Sequence, residues 1–358
     1  MAQAPVPAAV DLAGVRGALA ARWRSLDPLL PAPSQLTPGC DVGYLVAGAD
    51  PAHPAAVGSC EHWTGEPGTM DFSWGAARRF TLTAHVAGPD VPGALDDLLA
   101  AWRDHLVRQP HAGDPDTAAV VLWPSRDIDG VAVLRRRGFT PMCVVAARTK
   151  PRQIADRLSP VRSSPPPQPA SASQQADQDP QQPDPLLADP LLADPRVRIR
   201  RAGPADLDTV TRLGLEVIRF DSRLGCVTMR DDSADALRRS LAGPLAGPRP
   251  WTWLAERDGV AVGMLHAEPP AGTGWIAPLS GRAPVAYLTL GFVAPDERRS
   301  GVGAALTARL HAEADAAGVA VTLLHYEQAN PLSVPFWSQQ GYRPAWTSWE
   351  AWPASALR

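Results

Sequence analysis

The chain has 358 residues, 45% of them hydrophobic, a formal net charge of −3 and a pI near 6.2. That length suffices for two domains of ordinary size, each able to bury a core. The absence of a basic excess removes the electrostatic case for nucleic-acid binding, while protein and peptide substrates stay open.

Four cysteines, Cys40, Cys60, Cys143 and Cys226, form no CxxC pair, and their wide spacing is unlike a zinc site. They are read as reduced, mostly buried thiols, with no metal expected, as in a reducing cytoplasm. The first residues lack a basic start and an apolar core, with Pro5, Pro7 and Asp11 interrupting the run. No stretch reaches ~18 uninterrupted apolar residues. A cytoplasmic protein without a membrane partner is expected.

In chain order, the first half ends with the apolar strand Ala118–Trp123, a short helix, and Arg137-Gly138-Phe139-Thr140-Pro141. From Ser159 to Pro195 proline, glutamine, serine and aspartate dominate, a composition that buries too little apolar surface to offset its ordering entropy. This segment is read as a disordered, semi-stiff spacer, in which the repeated DPLLA (Asp184–Ala188, Asp189–Ala193) is either plain linker or a short docking helix.

The second half opens with a short strand at Val197–Arg200 and a helix announced by Pro204 and Asp206. A second helix is predicted over Ser233–Leu241. Strands at Trp251–Glu256 and Val260–Ala267 flank the hairpin signal Arg257-Asp258-Gly259. A strand at Val285–Val293 and a helix from Gly301 follow. The half then repeats the tail of the first: strand Val319–Tyr326, short helix, and Gln340-Gly341-Tyr342-Arg343-Pro344. In both tails the glycine stands eleven residues after a polar helix-start candidate, Asp127 to Gly138 and Asn330 to Gly341. The repeat argues for internal duplication.

The stretch from Tyr287 to Leu310 carries the chemistry. A strand meets a turn, Arg298-Arg299-Ser300-Gly301-Val302-Gly303, and an Ala/Leu helix follows at once. The first turn of a helix presents N–H groups without intrahelical partners, and its dipole adds positive potential. Glycines allow a phosphate to approach the backbone, and two arginines raise the potential further. A pyrophosphate suits this turn. Gly301-Val302-Gly303-Ala304-Ala305-Leu306 lacks the third glycine of the dinucleotide-fold fingerprint, and no G-x-x-x-x-G-K-[ST] occurs.

The order V-x-P, R-x-x-G-x-G, helix, strand, N-x-x-S and Gly-aromatic resembles the GNAT superfamily of N-acetyltransferases. The matching residues are Val293, Pro295, Arg298, Gly301, Gly303, Asn330, Ser333, Gly341 and Tyr342. The resemblance covers Val197 to about Trp349. It implies a mixed α/β (α+β) fold of two GNAT-like mixed-sheet domains, 1–158 and 196–358, joined by the linker at 159–195. It also implies acetyl-CoA as co-substrate. Backbone N–H groups of Arg299, Ser300, Gly301, Val302, Gly303 and Ala304, beside Arg298, would hold the pyrophosphate. Leu290, Phe292 and Val293 would offer backbone bonds to the pantetheine arm, and the splayed end of that strand would polarise the thioester carbonyl. Asn330 and Ser333 would flank the cofactor where the last helix begins.

Where many members carry a leaving-group tyrosine, this chain has Trp337, which is not a usable acid; Tyr326 or Tyr342 would have to substitute, or the thiolate leaves unaided. The base is open among Tyr287, Glu327, His325 and Glu268. An acceptor wall is sought among Phe220, Asp221, Trp251, Trp253, Trp346 and Trp349, each of which is otherwise an ordinary core or rim residue. The first half keeps the tail but not the glycine-arginine turn, and Asp90 stands where a phosphate would bind, so it is read as a degenerate copy that supports or covers the acceptor site. This two-domain layout resembles that of the mycothiol synthases. The function implied is acetyl transfer to the amine of a small molecule or peptide by a monomer or homodimer; the alternative is a non-catalytic acyl-CoA-binding sensor or assembly module.

Overall fold

The computed structural model describes residues 10–37, 44–50, 52–150 and 196–358. The expected linker at 159–195, its DPLLA repeat and Cys40 lie outside the described residues. The first half contributes α1 (Leu12–Leu26), β1 (Leu45–Ala47), β2 (Ala56–Thr64), β3 (Arg78–Val86), α2 (Val91–Leu106), β4 (Thr117–Pro124), α3 (Ile128–Arg136) and β5 (Thr140–Thr149). The second contributes β6 (Val197–Arg201), α4 (Leu207–Asp221), α5 (Ser233–Ala246), β7 (Thr252–Arg257), β8 (Val260–Glu268) and β9 (Val285–Val293). It continues with α6 (Val302–Ala316), β10 (Val321–Glu327), α7 (Ser333–Gln339) and β11 (Arg343–Ala351).

Local chemistry explains the punctuation. Asp258 and Gly259 join β7 to β8 with φ of 50° and 81°, the pair of left-handed residues that matches the twist of a two-residue hairpin. The duplicated tails end their helices identically. Gly138 and Gly341 take φ of 97° and 85°. Phe139 donates to the Leu134 carbonyl and Tyr342 to that of Trp337, both at 3.0 Å, closing the same glycine-ended helix cap. Only a residue without a Cβ takes this conformation without strain.

The described strands form one sheet in the order β1-β2-β3-β4-β11-β5-β10-β9-β8-β7-β6. Two neighbours in this order were not legible beforehand. The last strand of the first half, β5, runs antiparallel to β10, with Cys143 opposite Glu327. The last strand of the second half, β11, runs antiparallel to β4, with Trp346 opposite Pro124. Each half therefore completes the other's sheet, and β5 and β11 pair with each other at the centre.

Alternating side chains divide the strands between cores. Leu324 and Tyr326 pack with Val302, Leu306 and Leu310 of α6, whereas Val321 and Leu323 face Tyr287, Val145 and Trp346. Trp346 anchors the central crossing: it is 3% exposed, donates its indole N–H to the Leu279 carbonyl at 2.8 Å, and meets Trp23 edge-on at 5.0 Å. A Trp346→Ala substitution is expected to cost about 3–5 kcal/mol, measured as a shift in denaturant midpoint at unchanged slope; a cost below about 1 kcal/mol would show that this contact is dispensable.

Among the described residues, no helix is long and apolar enough to cross a membrane, and no group of three or more His, Cys, Asp or Glu side chains is placed to hold a metal.

Candidate active site

The site begins where two parallel strands part. β9 and β10 pair from Val285 opposite Val321 to Leu288 opposite Leu324, and there the ladder stops. Both strands continue, to Val293 and Glu327. On the other side of β9, His266 faces Leu290 while Ala267 faces Leu288, so Thr289 is an extra, bulged residue. A bulge bends its strand and strengthens its twist, which turns β9 away from β10. Beyond Leu288 the β9 edge that faced β10 carries backbone groups without a strand partner. Gly291, Phe292 and Val293 from this edge line a cleft of about 740 Å³.

The turn after β9 closes one end of the cleft, where Arg298, Arg299, Gly301, Gly303 and Ala304 line it. Arg299 and Gly301 both lie in the left-handed region, at φ of 67° and 91°. Such alternation gathers successive N–H groups into an anion-binding concavity, and α6 then adds the free donors of its first turn. The turn is pinned from outside. Arg257 grips Glu297 through two bonds of 2.6 and 2.7 Å, and Ser300 Oγ donates to the Glu297 carbonyl at 2.6 Å. Glu297 is thereby paired with a cation, which offsets its repulsion of an anion in the turn. A Cβ on Gly303 would stand 3.2 Å from the Phe336 ring, so the backbone here runs as close to α7 as packing permits.

Three expected cofactor residues are placed differently from the rest. The side chains of Leu290 and Val302 are 2% and 1% exposed and belong to the cores, so only their backbone groups can serve. Ser300 spends its hydroxyl on Glu297. Asn330 and Ser333 line the cleft, but Asn330 also shapes it: its Oδ1 accepts the N–H groups of Leu332 and Ser333 at 2.9 and 3.0 Å, capping α7. Its Nδ2 donates to Asp221 at 3.1 Å, tying α7 to the end of α4. Trp337 lines the cleft over Gly291. Neither Tyr326 nor Tyr342 does, and the Tyr342 hydroxyl is engaged with His311 Nε2 at 3.2 Å.

The four candidate bases share one face. Glu268 stands opposite Tyr287 across β8 and β9, and His325 and Glu327 are two residues apart on β10. The Tyr287 hydroxyl and His325 Nδ1 are hydrogen-bonded at 2.9 Å. Burial raises the Tyr287 phenol above its ordinary value, so it holds its proton. His325 reaches solvent, and desolvation by the surrounding protein pulls it down to about 4, leaving it neutral. Glu268 accepts from Trp275 Nε1 at 3.1 Å and from Thr289 Oγ1 at 3.4 Å.

Glu327 is the perturbed member. It is 4% exposed, and its Oε1 has no hydrogen-bond partner. Desolvation, aided by repulsion from Asp221 and Glu350 and opposed by a backbone bond from Cys226, pushes it up to about 8. Asp221 itself is raised to about 6 by desolvation, against the stabilising bond from Asn330. A buried carboxyl titrating near neutrality beside a cleft has the properties of a general base.

The first half supports this corner directly. Arg230, between α4 and α5, reaches Asp116 at 2.6 Å and stacks over Phe72 at 4.2 Å, and Thr228 N–H donates to the Ser73 carbonyl at 2.9 Å. In the first half itself β3 also leaves β4, after Leu82 opposite Val121. There, however, Asp90 accepts the Gly93 N–H at 3.0 Å. A carboxylate already occupies the helix start that a phosphate would need. Among the aromatic candidates Phe220 lines the cleft with Asp221, while Trp251, Trp253, Trp346 and Trp349 are buried in the cores. Trp275, in the β8–β9 connection, and Cys226 and Glu350 carried no signal in the sequence, since nothing local marks their approach to the site.

Residues 226–342 match the acetyltransferase (GNAT) family. No curated protein matches the chain. Among solved structures, the chain is similar to a GCN5-related N-acetyltransferase from Sphaerobacter thermophilus, at 13% identity over 99% of this chain and 95% of that one, with a TM-score of 0.51. It is also similar to a GCN5-related N-acetyltransferase from Ralstonia eutropha JMP134, at 24% identity over 42% of this chain and 94% of that one, with a TM-score of 0.32. A GNAT-family acetyltransferase from Colwellia psychrerythraea shares 10% identity over 85% and 82% of the two chains, with a TM-score of 0.44. The first of these likenesses extends the acetyltransferase fold over both halves, and residues 226–342 carry the match to the acetyltransferase (GNAT) family.

Proposed function

We propose that the second half transfers the acetyl group of acetyl-CoA to the amine of a small molecule or peptide in the cytoplasm. One observation carries this reading: the unpaired edge of β9 and the turn at Arg298–Ala304 open into the same cleft, an edge for an extended polar arm and a cradle for its phosphates. Acetyl-CoA supplies an activated carbonyl at the end of that arm. The chain's own groups then do three things. Arg298, Arg299 and the α6 N-terminus hold the pyrophosphate. A free N–H on β9 beyond Leu288 stabilises the charge that develops on the carbonyl oxygen. Glu327, with Asp221 beside it, takes the proton of the attacking amine.

Steady release of CoA with a panel of amines, amino sugars and peptides tests the proposal; no release with any of them would overturn it. One feature supports the non-catalytic acyl-CoA-binding alternative, namely that indole rather than a hydroxyl lines the cleft at Trp337. Tight CoA binding without turnover is its expected outcome.

The first half is proposed to be a support without a coenzyme site of its own. Asp90→Ala is expected to cost about 1 kcal/mol through loss of the α2 cap, by chemical denaturation, and to leave coenzyme A affinity and stoichiometry unchanged by calorimetry. A second binding event in this variant would show that Asp90 alone had closed the site.

A further inference from the structure

The carboxylates around the acceptor face have no cation, unlike the buried or half-buried acids that tie the rest of the fold together. Asp27 is matched by Arg343, Asp127 by Arg22, Glu297 by Arg257 and Glu313 by Arg201. Among the described residues, Asp221, Glu268 and Glu327 enter no ion pair; their bonds come from Asn330, from Trp275 and Thr289, and from the Cys226 N–H. Glu327 is buried, yet Oε1 has no partner at all. Leaving a charged oxygen without a partner in such a place costs free energy that a bound cation restores.

A second, independent feature lies at the other end of the same face. Trp275 is 59% exposed, although a bare indole is seldom left to water. It is not loose: its N–H is bonded to Glu268, its ring lies parallel to His325 at 6.3 Å and 9°, and it meets Tyr287 edge-on at 4.8 Å. A fixed aromatic beside an unpaired carboxylate is a seat for an ammonium group. Glu268 is level with Tyr287 and Leu323 two strands across, roughly 10 Å away, and Glu327 stands four residues further along β10, about 13 Å, so the two seats are separated by roughly 16 Å of sheet.

We propose that the acceptor carries two cationic centres, a diamine or polyamine, with the reacting amine seated at Glu327 and Asp221 and the second ammonium held between Glu268 and Trp275. This rests on the acetyl-transfer reading above and names the substrate class of the same site. A monoamine fills one seat and leaves Glu268 unpaired; a diamine of matching span neutralises both ends.

The test compares α,ω-diaminoalkanes of increasing length with n-alkylamines of the same carbon count, using the full chain at fixed ionic strength and saturating acetyl-CoA. A diamine long enough to bridge the two seats should exceed its monoamine in kcat/KM by about tenfold or more, chiefly through KM, and short diamines should not. In Glu268→Gln and in Trp275→Ala that ratio should fall toward one. Calorimetric titration of the same pairs onto the CoA-bound protein reads the preference without turnover. Equal binding of diamines and monoamines to the unaltered chain, or a preference that survives both substitutions, overturns the proposal. Preferential diamine binding with no acetyl transfer upholds the site and rejects the transferase reading instead.

Discussion

A Gly301→Trp variant is expected to lose coenzyme A binding by a factor of about 100 or more, with calorimetry as the readout. Gly301 sits at φ of 91° directly before α6 and lines the cleft. Any side chain there strains the backbone, by about 1–2 kcal/mol for a non-glycine residue in the left-handed region. The larger effect is exclusion. A pyrophosphate must contact the N–H groups of the turn at hydrogen-bond distance, and an indole rooted in the turn stands between them. The two contributions separate experimentally: strain lowers the unfolding midpoint modestly, whereas exclusion abolishes binding in a folded protein. Undiminished affinity in a folded variant would move the diphosphate away from this turn.

A Glu327→Gln variant is expected to lower kcat/KM by about 100-fold and to change the shape of the pH profile. With the carboxyl raised to about 8, the unaltered enzyme should gain activity as pH rises toward 8 and level off above it, because only the ionised form accepts a proton. The variant should lose that limb. If the limb remains, the base is another group. His325, neutral above about 4, predicts no such limb, and the Tyr287 phenol ionises too late to supply it. Stability should respond with the opposite sign. An acid raised from 4.5 to about 8 binds its proton more tightly in the folded state, so folding is favoured below that window and is weakened as pH rises through it. The glutamine variant, which never ionises, should therefore gain in thermal midpoint relative to the parent at pH 9 but not at pH 5.

The parts of the site that were readable in advance are those set by short-range geometry. The strand Val285–Val293 was bounded as the structure has it, because an apolar run ending at a proline-marked turn leaves little freedom. The turn at Arg298–Gly303 declares itself by glycines whose left-handed conformation few other residues tolerate. The two tails, each with a glycine that ends its helix through the same pair of bonds, were visible as a repeat for the same reason. Aromatic residues were read less well. Trp251, Trp253, Trp346 and Trp349 look alike on paper to a binding wall and to a core, and all four are core. Trp275 sits in an irregular connection, where no periodicity indicates direction.

What the chain order alone determined, then, was the αβ character of both halves, the glycine-marked turn before α6 and the similar endings of the two halves, each fixed by interactions among residues close in sequence. The exchange of β5 and β11 between the halves was decided only in three dimensions, because an exposed sheet edge offers the same backbone donors and acceptors to any strand of suitable register. The same tertiary step brings Cys143 opposite Glu327 and sets Glu327 near Asp221 and Glu350. A carboxyl's proton affinity depends on what surrounds it after folding, so the sequence could nominate Glu327 but only the packed structure could raise its proton affinity.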